Sequence, residues 1–245
     1  MNLIGAPNFR DLGGYISSCG HAVRRGRLFR SDHLGALQSA DLADLAASLG
    51  GAVRVLDLRG VSERESAICA IPGATVHSLP IEPTIVQKLT ALLNAGDELS
   101  AGRTVALMQD TYRGFVRVNT PRFAALFQHV LEANEAPIFF HCTAGKDRTG
   151  FAAALLLRAL DVPHDVVVQD YMRTNDRLAG KVPSAALPPE IAQVLWSVQP
   201  AFLEAAFDAV EADFGSLDAY LRTGLGLRDA ELGRLRHLYL EVPQR

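Results

Sequence analysis

His141-Cys-Thr-Ala-Gly-Lys-Asp-Arg-Thr-Gly150 stands between Ile138-Phe139-Phe140 and Phe151-Ala-Ala-Ala-Leu-Leu-Leu157. The first apolar run has the length of a buried strand, and the second reads as a helix buried on most sides. The residues between them form a tight loop that opens a helix N-terminus. Amides at such an end have no intrahelical partner and the helix dipole there is positive, so successive N–H groups can converge on an anion. Cys142 lies at the floor of this loop and Arg148, a permanent cation, at its far end. A nucleophile and a cation set this way suit a phosphate ester.

Spacing alone is a weak signal, and the chain contains its own control. Cys19 is also followed six positions later by an arginine, Arg25, but no apolar strand precedes it, His21-Ala-Val-Arg24 stand where the loop would need a glycine, and Gly26 follows instead of a helix. A nucleotide-binding P-loop is excluded because Gly145-Lys146 is followed by Asp147 instead of Ser or Thr, and Phe140 occupies the place of its first glycine. An inert core cysteine beside a surface arginine fits poorly with strand, Cys, Gly, Lys, Arg, Thr, Gly and apolar helix in order.

The implied chemistry follows from the residue types. Inward-facing amides and an arginine favour the thiolate of a cysteine, which attacks phosphorus directly. Arg148 offers a planar fork for two equatorial phosphoryl oxygens. The amides of Thr143, Ala144, Gly145, Lys146, Asp147 and Arg148 supply the remaining donors, and Gly145 lets the backbone approach closely. Thr149 is placed to hydrogen-bond the sulfur and ease its departure.

With 245 residues, 49% hydrophobic and 21% charged, the chain has the composition of a globular domain with a full core, and no apolar run is long enough to cross a bilayer. A formal net charge of -3 with scattered arginines argues against nucleic-acid binding. Three widely spaced cysteines give no disulfide framework, and the N-terminus carries no visible secretory signal. A reducing cytoplasm is the expected compartment, export by an unrecognised route aside. Nothing in the sequence speaks to oligomeric state.

Strand and helix signals alternate. Arg27–Asp32 reads as an edge strand, Ser39–Leu49 as an amphipathic helix stopped by Gly50, Ala52–Leu58 and Thr75–Leu79 as strands, and Thr84–Asn94 and Thr120–Asn134 as helices. Beyond Asp161 the pattern is helical: 164–174, 189–198, 201–213, 216–222 and 229–241, with 178–189 as the most loop-like piece. The expected fold is α/β, a mainly parallel central sheet flanked by helices, as one domain over residues 1–245 with a helical extension from about residue 176 that is a candidate lid. Such sheets place ligands at the carboxyl ends of their strands, where Asp57 and Cys142 both fall.

The motif resembles the signature of the cysteine-dependent protein tyrosine phosphatase superfamily: His-Cys, five residues, Arg, then Thr, complete from His141 to Thr149. The Ala-Gly-Lys-Asp-Arg core is similar to a bacterial subgroup that includes mycobacterial and Listeria tyrosine and lipid phosphatases. So are the segments 8–14, 28–32, 55–59, 112–113, 170–176 and 214–220. The resemblance implies a metal-independent, cofactor-free hydrolysis through a cysteinyl-phosphate, with phosphotyrosine proteins or phosphoinositides as substrates. It leaves two aspartates competing as proton donor, Asp147 inside the loop and Asp57 at a strand end, with Asp147 preferred. Lys146 is a second cation beside the phosphate, compatible with phosphoinositides. His141 supports the loop, and Arg59, Tyr112 and Arg113 are candidate substrate contacts. A non-catalytic phosphate-binding scaffold is disfavoured by the retention of Cys142, Arg148 and both aspartates. A sulfur-transfer role for Cys142 predicts persulfide chemistry without phosphate release.

Overall fold

The computed structural model describes residues 1–49, 53–94, 99–134, 136–180 and 187–242. In chain order the strands are β1 (Arg10–Asp11), β2 (Ala22–Val23), β3 (Leu28–Ser31), β4 (Arg54–Asp57), β5 (Thr75–Ser78), β6 (Ile138–His141) and β7 (Leu240–Glu241). The helices are α1 (Ser39–Leu49), α2 (Val61–Ser66), α3 (Thr84–Asn94), α4 (Ala101–Arg117), α5 (Thr120–Glu132), α6 (Asp147–Ala159), α7 (His164–Arg177), α8 (Pro189–Trp196), α9 (Pro200–Phe214), α10 (Leu217–Ala219) and α11 (Asp229–Tyr239). A π-helical turn, Tyr220–Gly224, follows α10. Among the described residues, no helix is long and apolar enough to cross a membrane.

The central sheet runs β1-β3-β6-β4-β5; all its pairings are parallel except β1 with β3. The register sets Ser31, His141 and Asp57 side by side, so the carboxyl ends of β3, β6 and β4 share one rim. Side chains alternate across the sheet as the pleat requires. Phe29, Val55 and Phe139 pack with Phe9 and Leu45 on the α1 face, where the Phe9 and Phe29 rings lie 5.2 and 5.0 Å from Phe139. Leu28, Leu56, Ile138 and Phe140 face a larger core built by α4, α5, α6 and the C-terminal helices. Each buried aromatic or aliphatic side chain contributes roughly 1.5–3 kcal/mol.

Helix α6 is buried all round from Arg148 to Leu157, which explains why its sequence has no polar face. Helix α4 has no counterpart in the sequence reading. Its inward residues, Thr104, Met108, Tyr112, Phe115 and Val116, recur at helical spacing, and Gly102 and Gly114 lie elsewhere within the helix. Arg27–Asp32 is not at the edge: β3 is interior, flanked by β6 and by the two-residue β1. Strand β4 begins at Arg54, and Gly50 and Ala52 lie outside the described residues, as do residues 181–186 of the loop-like piece. The C-terminal helices share the main core through Val194, Phe202, Leu203, Val210, Tyr220 and Tyr239, and β7 returns to pair with β2.

Candidate active site

Cys142 follows β6 directly and is 3% exposed, at the mouth of the loop that leads into α6. Three consecutive carbonyls of this loop are drawn to its back. The Thr143 carbonyl accepts from the His33 amide at 3.1 Å. Asn8 Nδ2 donates to the Ala144 carbonyl at 2.9 Å and the Gly145 carbonyl at 3.0 Å, and Arg30 Nη2 donates to Gly145 at 3.0 Å. Because a trans peptide sets N–H opposite C=O, the following amides, of Ala144, Gly145 and Lys146, face the other way, into the concavity. Gly145 has φ +65°, and a β-carbon there would collide with the Ser31 carbonyl.

The back of the loop rests on a buried ion cluster. Asp170 of α7 pairs with Arg10 Nε at 3.0 Å and Arg30 Nη1 at 2.7 Å, while Arg10 Nη1 donates to Asn8 Oδ1 at 2.6 Å. Burial alone would raise the Asp170 carboxyl, but the two guanidinium groups outweigh it and bring it to about 2. Asp11, next to Arg10, instead braces the adjoining turn, accepting from the Gly13 and Gly26 amides at 2.7 and 2.8 Å.

Arg148 lies at the start of α6 and meets Glu63 of α2, a residue absent from the sequence reading. Its Nη1 donates to Glu63 Oε2 at 2.6 Å and to the Ile81 carbonyl at 2.8 Å, and its Nη2 donates to Glu63 Oε1 at 2.8 Å. The Thr143 hydroxyl donates to the same carboxylate, and so does the Gly60 amide, at 2.8 Å. Burial opposes ionisation of Glu63, but Arg148, Thr143 and Gly60 together lower it to about 2. The spacing from Gly60 to Glu63 is that of a capping box, a signal visible in the sequence that marks a helix start without naming Arg148 as partner.

The two aspartates occupy different settings. Asp57 is 2% exposed and bound by Arg59 through Nε at 3.0 Å and Nη2 at 2.7 Å. Burial pushes its carboxyl up, and the Arg59 hydrogen bonds and the His141 charge more than reverse the shift. Asp147 stands at the loop rim with its side chain 25% exposed; Oδ1 accepts from the Tyr112 hydroxyl at 2.9 Å and Oδ2 lies 3.4 Å from Lys146 Nζ. Lys146 itself is 4% exposed and donates to the Leu195 carbonyl at 2.5 Å and the Ser197 carbonyl at 3.2 Å.

Of the candidate substrate contacts, Arg59 is consumed by Asp57 and Tyr112 is fully buried behind Asp147. Arg113 pairs with Asp110 at 2.6 Å and is the most exposed of the three. His141 is fully buried; its Nδ1 is 3.1 Å from the Cys142 carbonyl and its Nε2 is 3.8 Å from Asp57 Oδ2. The Thr149 hydroxyl is buried without a hydrogen-bond partner among the described residues, so the expected bond to the sulfur is not formed here.

The chain is similar to known proteins over most of its length. A family model described as the tyrosine phosphatase family matches residues 1–241. The chain is 32% identical over 243 residues to a protein of Cupriavidus necator named as a tyrosine-protein phosphatase, covering 95% of this chain and 85% of the relative. It is likewise 32% identical over 279 residues to the triple specificity protein phosphatase PtpB of Mycobacterium tuberculosis, covering 97% of this chain and 98% of that protein. Among solved structures, the Siw14 catalytic core aligns with a TM-score of 0.39 at 12% identity, covering 87% of this chain and 95% of its own. With its model matched across nearly the whole sequence and two relatives aligned over most of their length, the chain belongs to the tyrosine phosphatase family.

Proposed function

We propose that this tyrosine phosphatase works in two steps with Cys142 as nucleophile, Arg148 as phosphoryl clamp and Asp147 as proton donor and acceptor. The Cys142 sulfur attacks phosphorus, the bond to the ester oxygen breaks, and that oxygen takes a proton from Asp147. Water then attacks the phosphocysteine, Asp147 recovers a proton, the sulfur leaves as thiolate and inorganic phosphate is released. The observation that carries this reading is the loop itself: three carbonyls tied back, the following amides turned inward, and Cys142 and Arg148 at its two ends.

Asp147 is preferred over Asp57 because a general acid must reach solvent-borne substrate. Asp57 is buried and held as a carboxylate by Arg59, whereas Asp147 is at the rim. Phosphotyrosine is the substrate we favour, with phosphoserine and phosphothreonine as further substrates in view of the relative named for triple specificity. A mainly phosphoinositide-directed role gains little from Lys146, whose ammonium is engaged by the Leu195 and Ser197 carbonyls. A reducing cytoplasm suits an enzyme whose nucleophile is a free thiol.

The test is hydrolysis of p-nitrophenyl phosphate with chelator present, its inhibition by vanadate, and acid-quench trapping of a phosphoenzyme. Wild type is expected to pass all three, and Cys142→Ser to lose turnover and trapping together. A serine variant as active as wild type overturns the mechanism. Second-order rate constants for phosphopeptides and phosphoinositides then rank the substrates.

A further inference from the structure

Asp147 is connected to the interior by two phenols. The Tyr112 hydroxyl donates to Asp147 Oδ1 at 2.9 Å and lies 2.6 Å from the Tyr171 hydroxyl. Tyr112 comes from α4 and Tyr171 from α7, and they are 0% and 1% exposed. The surrounding packing fits rings of this shape. Gly150, one turn beyond Asp147, faces Tyr171, where a β-carbon would stand 2.9 Å from the ring. Phe115 and Phe202 hold the Tyr112 ring, at centroid distances of 5.0 and 5.9 Å. Phenylalanine would fill the same volume without a polar atom to satisfy, so the two buried hydroxyls need an account beyond packing.

We propose that Tyr112 and Tyr171 are positioning residues that orient the Asp147 carboxyl for proton transfer, an inference that rests on Asp147 being the acid. With Oδ1 held by Tyr112, the oxygen that exchanges a proton with the ester oxygen is Oδ2, which lies 3.4 Å from Lys146 Nζ. A donor aimed at a carboxylate favours its ionised form, and a Tyr171 hydroxyl donating to the Tyr112 oxygen makes Tyr112 the stronger donor. The phenols do not themselves supply the proton. Burial first, then the neighbouring Asp147 charge, keeps both well above the ordinary phenol range. The charged and titratable groups around Asp147 are Lys146, Arg148 and Cys142 from its own loop and helix, Tyr112 from α4 and Tyr171 from α7.

The experiment compares Tyr112→Phe, Tyr171→Phe and Asp147→Asn, with each phenylalanine variant also made in the Asp147→Asn background. The readouts are the pH profile of kcat/KM and the ratio of turnover on phenyl phosphate to that on p-nitrophenyl phosphate. The basic limb is expected to move up in Tyr112→Phe, and by less in Tyr171→Phe. Turnover of phenyl phosphate, the poorer leaving group, is expected to fall more than that of p-nitrophenyl phosphate, and neither phenylalanine should add an effect to Asp147→Asn. Thermal unfolding checks that the variants fold, and Tyr171→Phe carries the test if Tyr112→Phe does not. A basic limb that persists in Asp147→Asn overturns the acid assignment itself. A limb lost in Asp147→Asn but unmoved in the folded phenylalanine variants, with the substrate ratio intact, overturns the positioning role alone.

Discussion

Glu63 holds Arg148 along one edge of its guanidinium, Oε2 on Nη1 at 2.6 Å and Oε1 on Nη2 at 2.8 Å. The Ile81 carbonyl takes the other Nη1 hydrogen at 2.8 Å. No bond among the described residues uses Nε or the second Nη2 hydrogen, and these two lie together on the opposite edge. That edge is a two-pronged donor of fixed direction, the form needed to grip two phosphoryl oxygens. Residues 63 and 148 thus form one device: the carboxylate aims the cation.

Replacing Glu63 with Gln keeps the shape but removes the charge, so the fork should lose its fixed orientation. A charge-assisted bond of this kind is worth about 1.5–3 kcal/mol, so kcat/KM for an aryl phosphate is expected to fall roughly 10- to 100-fold. Vanadate affinity should fall in parallel. Because Glu63 is lowered to about 2, its pair with Arg148 is complete above the usual glutamate range and is lost only as pH falls toward that value. The acid limb of the pH profile should therefore keep its position in Glu63→Gln. A displaced limb would show that Glu63 titrates in the working range.

What the sequence displays is what lies close together along the chain. Strand, Cys142, Gly145, Arg148 and buried helix are contiguous, and their order is dictated by local physics: an apolar run, a turn that needs positive φ, a helix start. Glu63 is legible as a helix cap, but its partner is 85 residues away and no local pattern names it. Asp170 is likewise separated from Arg10 by 160 residues, so the cluster beneath the loop appears only when the strand order brings β1, β3 and α7 together. Helix α4 is a different case: Thr104, Met108, Tyr112 and Phe115 recur at helical spacing, but Gly102 and Gly114 inside it weigh against a helix when the sequence is read alone. The Leu195 and Ser197 carbonyls that engage Lys146 are likewise not legible, since a long flexible side chain takes its partners from tertiary structure, here the end of α8.

Among the described residues, Asn8 is the sole side chain that bonds both the Ala144 and Gly145 carbonyls while accepting from Arg10. Asn8→Ala removes the side-chain donor to the Ala144 carbonyl, leaves Arg30 as the side-chain donor to Gly145, and leaves Arg10 Nη1 the Asn8 main-chain oxygen, a loss of about 1–3 kcal/mol. The loop amides depend on the same bonds for their direction. Weaker vanadate binding, measured by titration, should therefore accompany a lower Tm. A lower Tm with unchanged vanadate affinity would confine Asn8 to stability.

Lys146→Met keeps much of the buried stem but removes the ammonium that ties the loop to the Leu195 and Ser197 carbonyls. Amide hydrogen exchange at the end of α8 is expected to speed up, while Val198 stays tethered by Asn175, whose Oδ1 accepts from the Val198 amide at 2.7 Å. Turnover of phosphopeptide and phosphoinositide should fall together. A selective loss of phosphoinositide turnover would restore Lys146 as a lipid-recognising cation.

His141 sets the acid stability of the fold. It is fully buried, and burial lowers its imidazole from the ordinary value of 6.5 to about 4, against the opposing pull of Asp57. A histidine depressed in the folded state contributes stability at pH values above its unfolded value and loses it as pH falls, because the unfolded chain binds the proton first. Between pH 7 and pH 5 this costs about 2 kcal/mol. Asp170 and Glu63, each lowered to about 2, begin to lose their contribution only below the usual carboxylate range. Urea unfolding should therefore give a midpoint that drops from pH 7 to pH 5 in wild type. His141→Asn, although less stable at pH 7, should have a flatter profile across the same interval. An equal drop in both proteins would assign the acid sensitivity to two half-buried histidines, His77 of β5 and His129 of α5, whose ring centroids lie 4.0 Å apart and which are themselves lowered by burial.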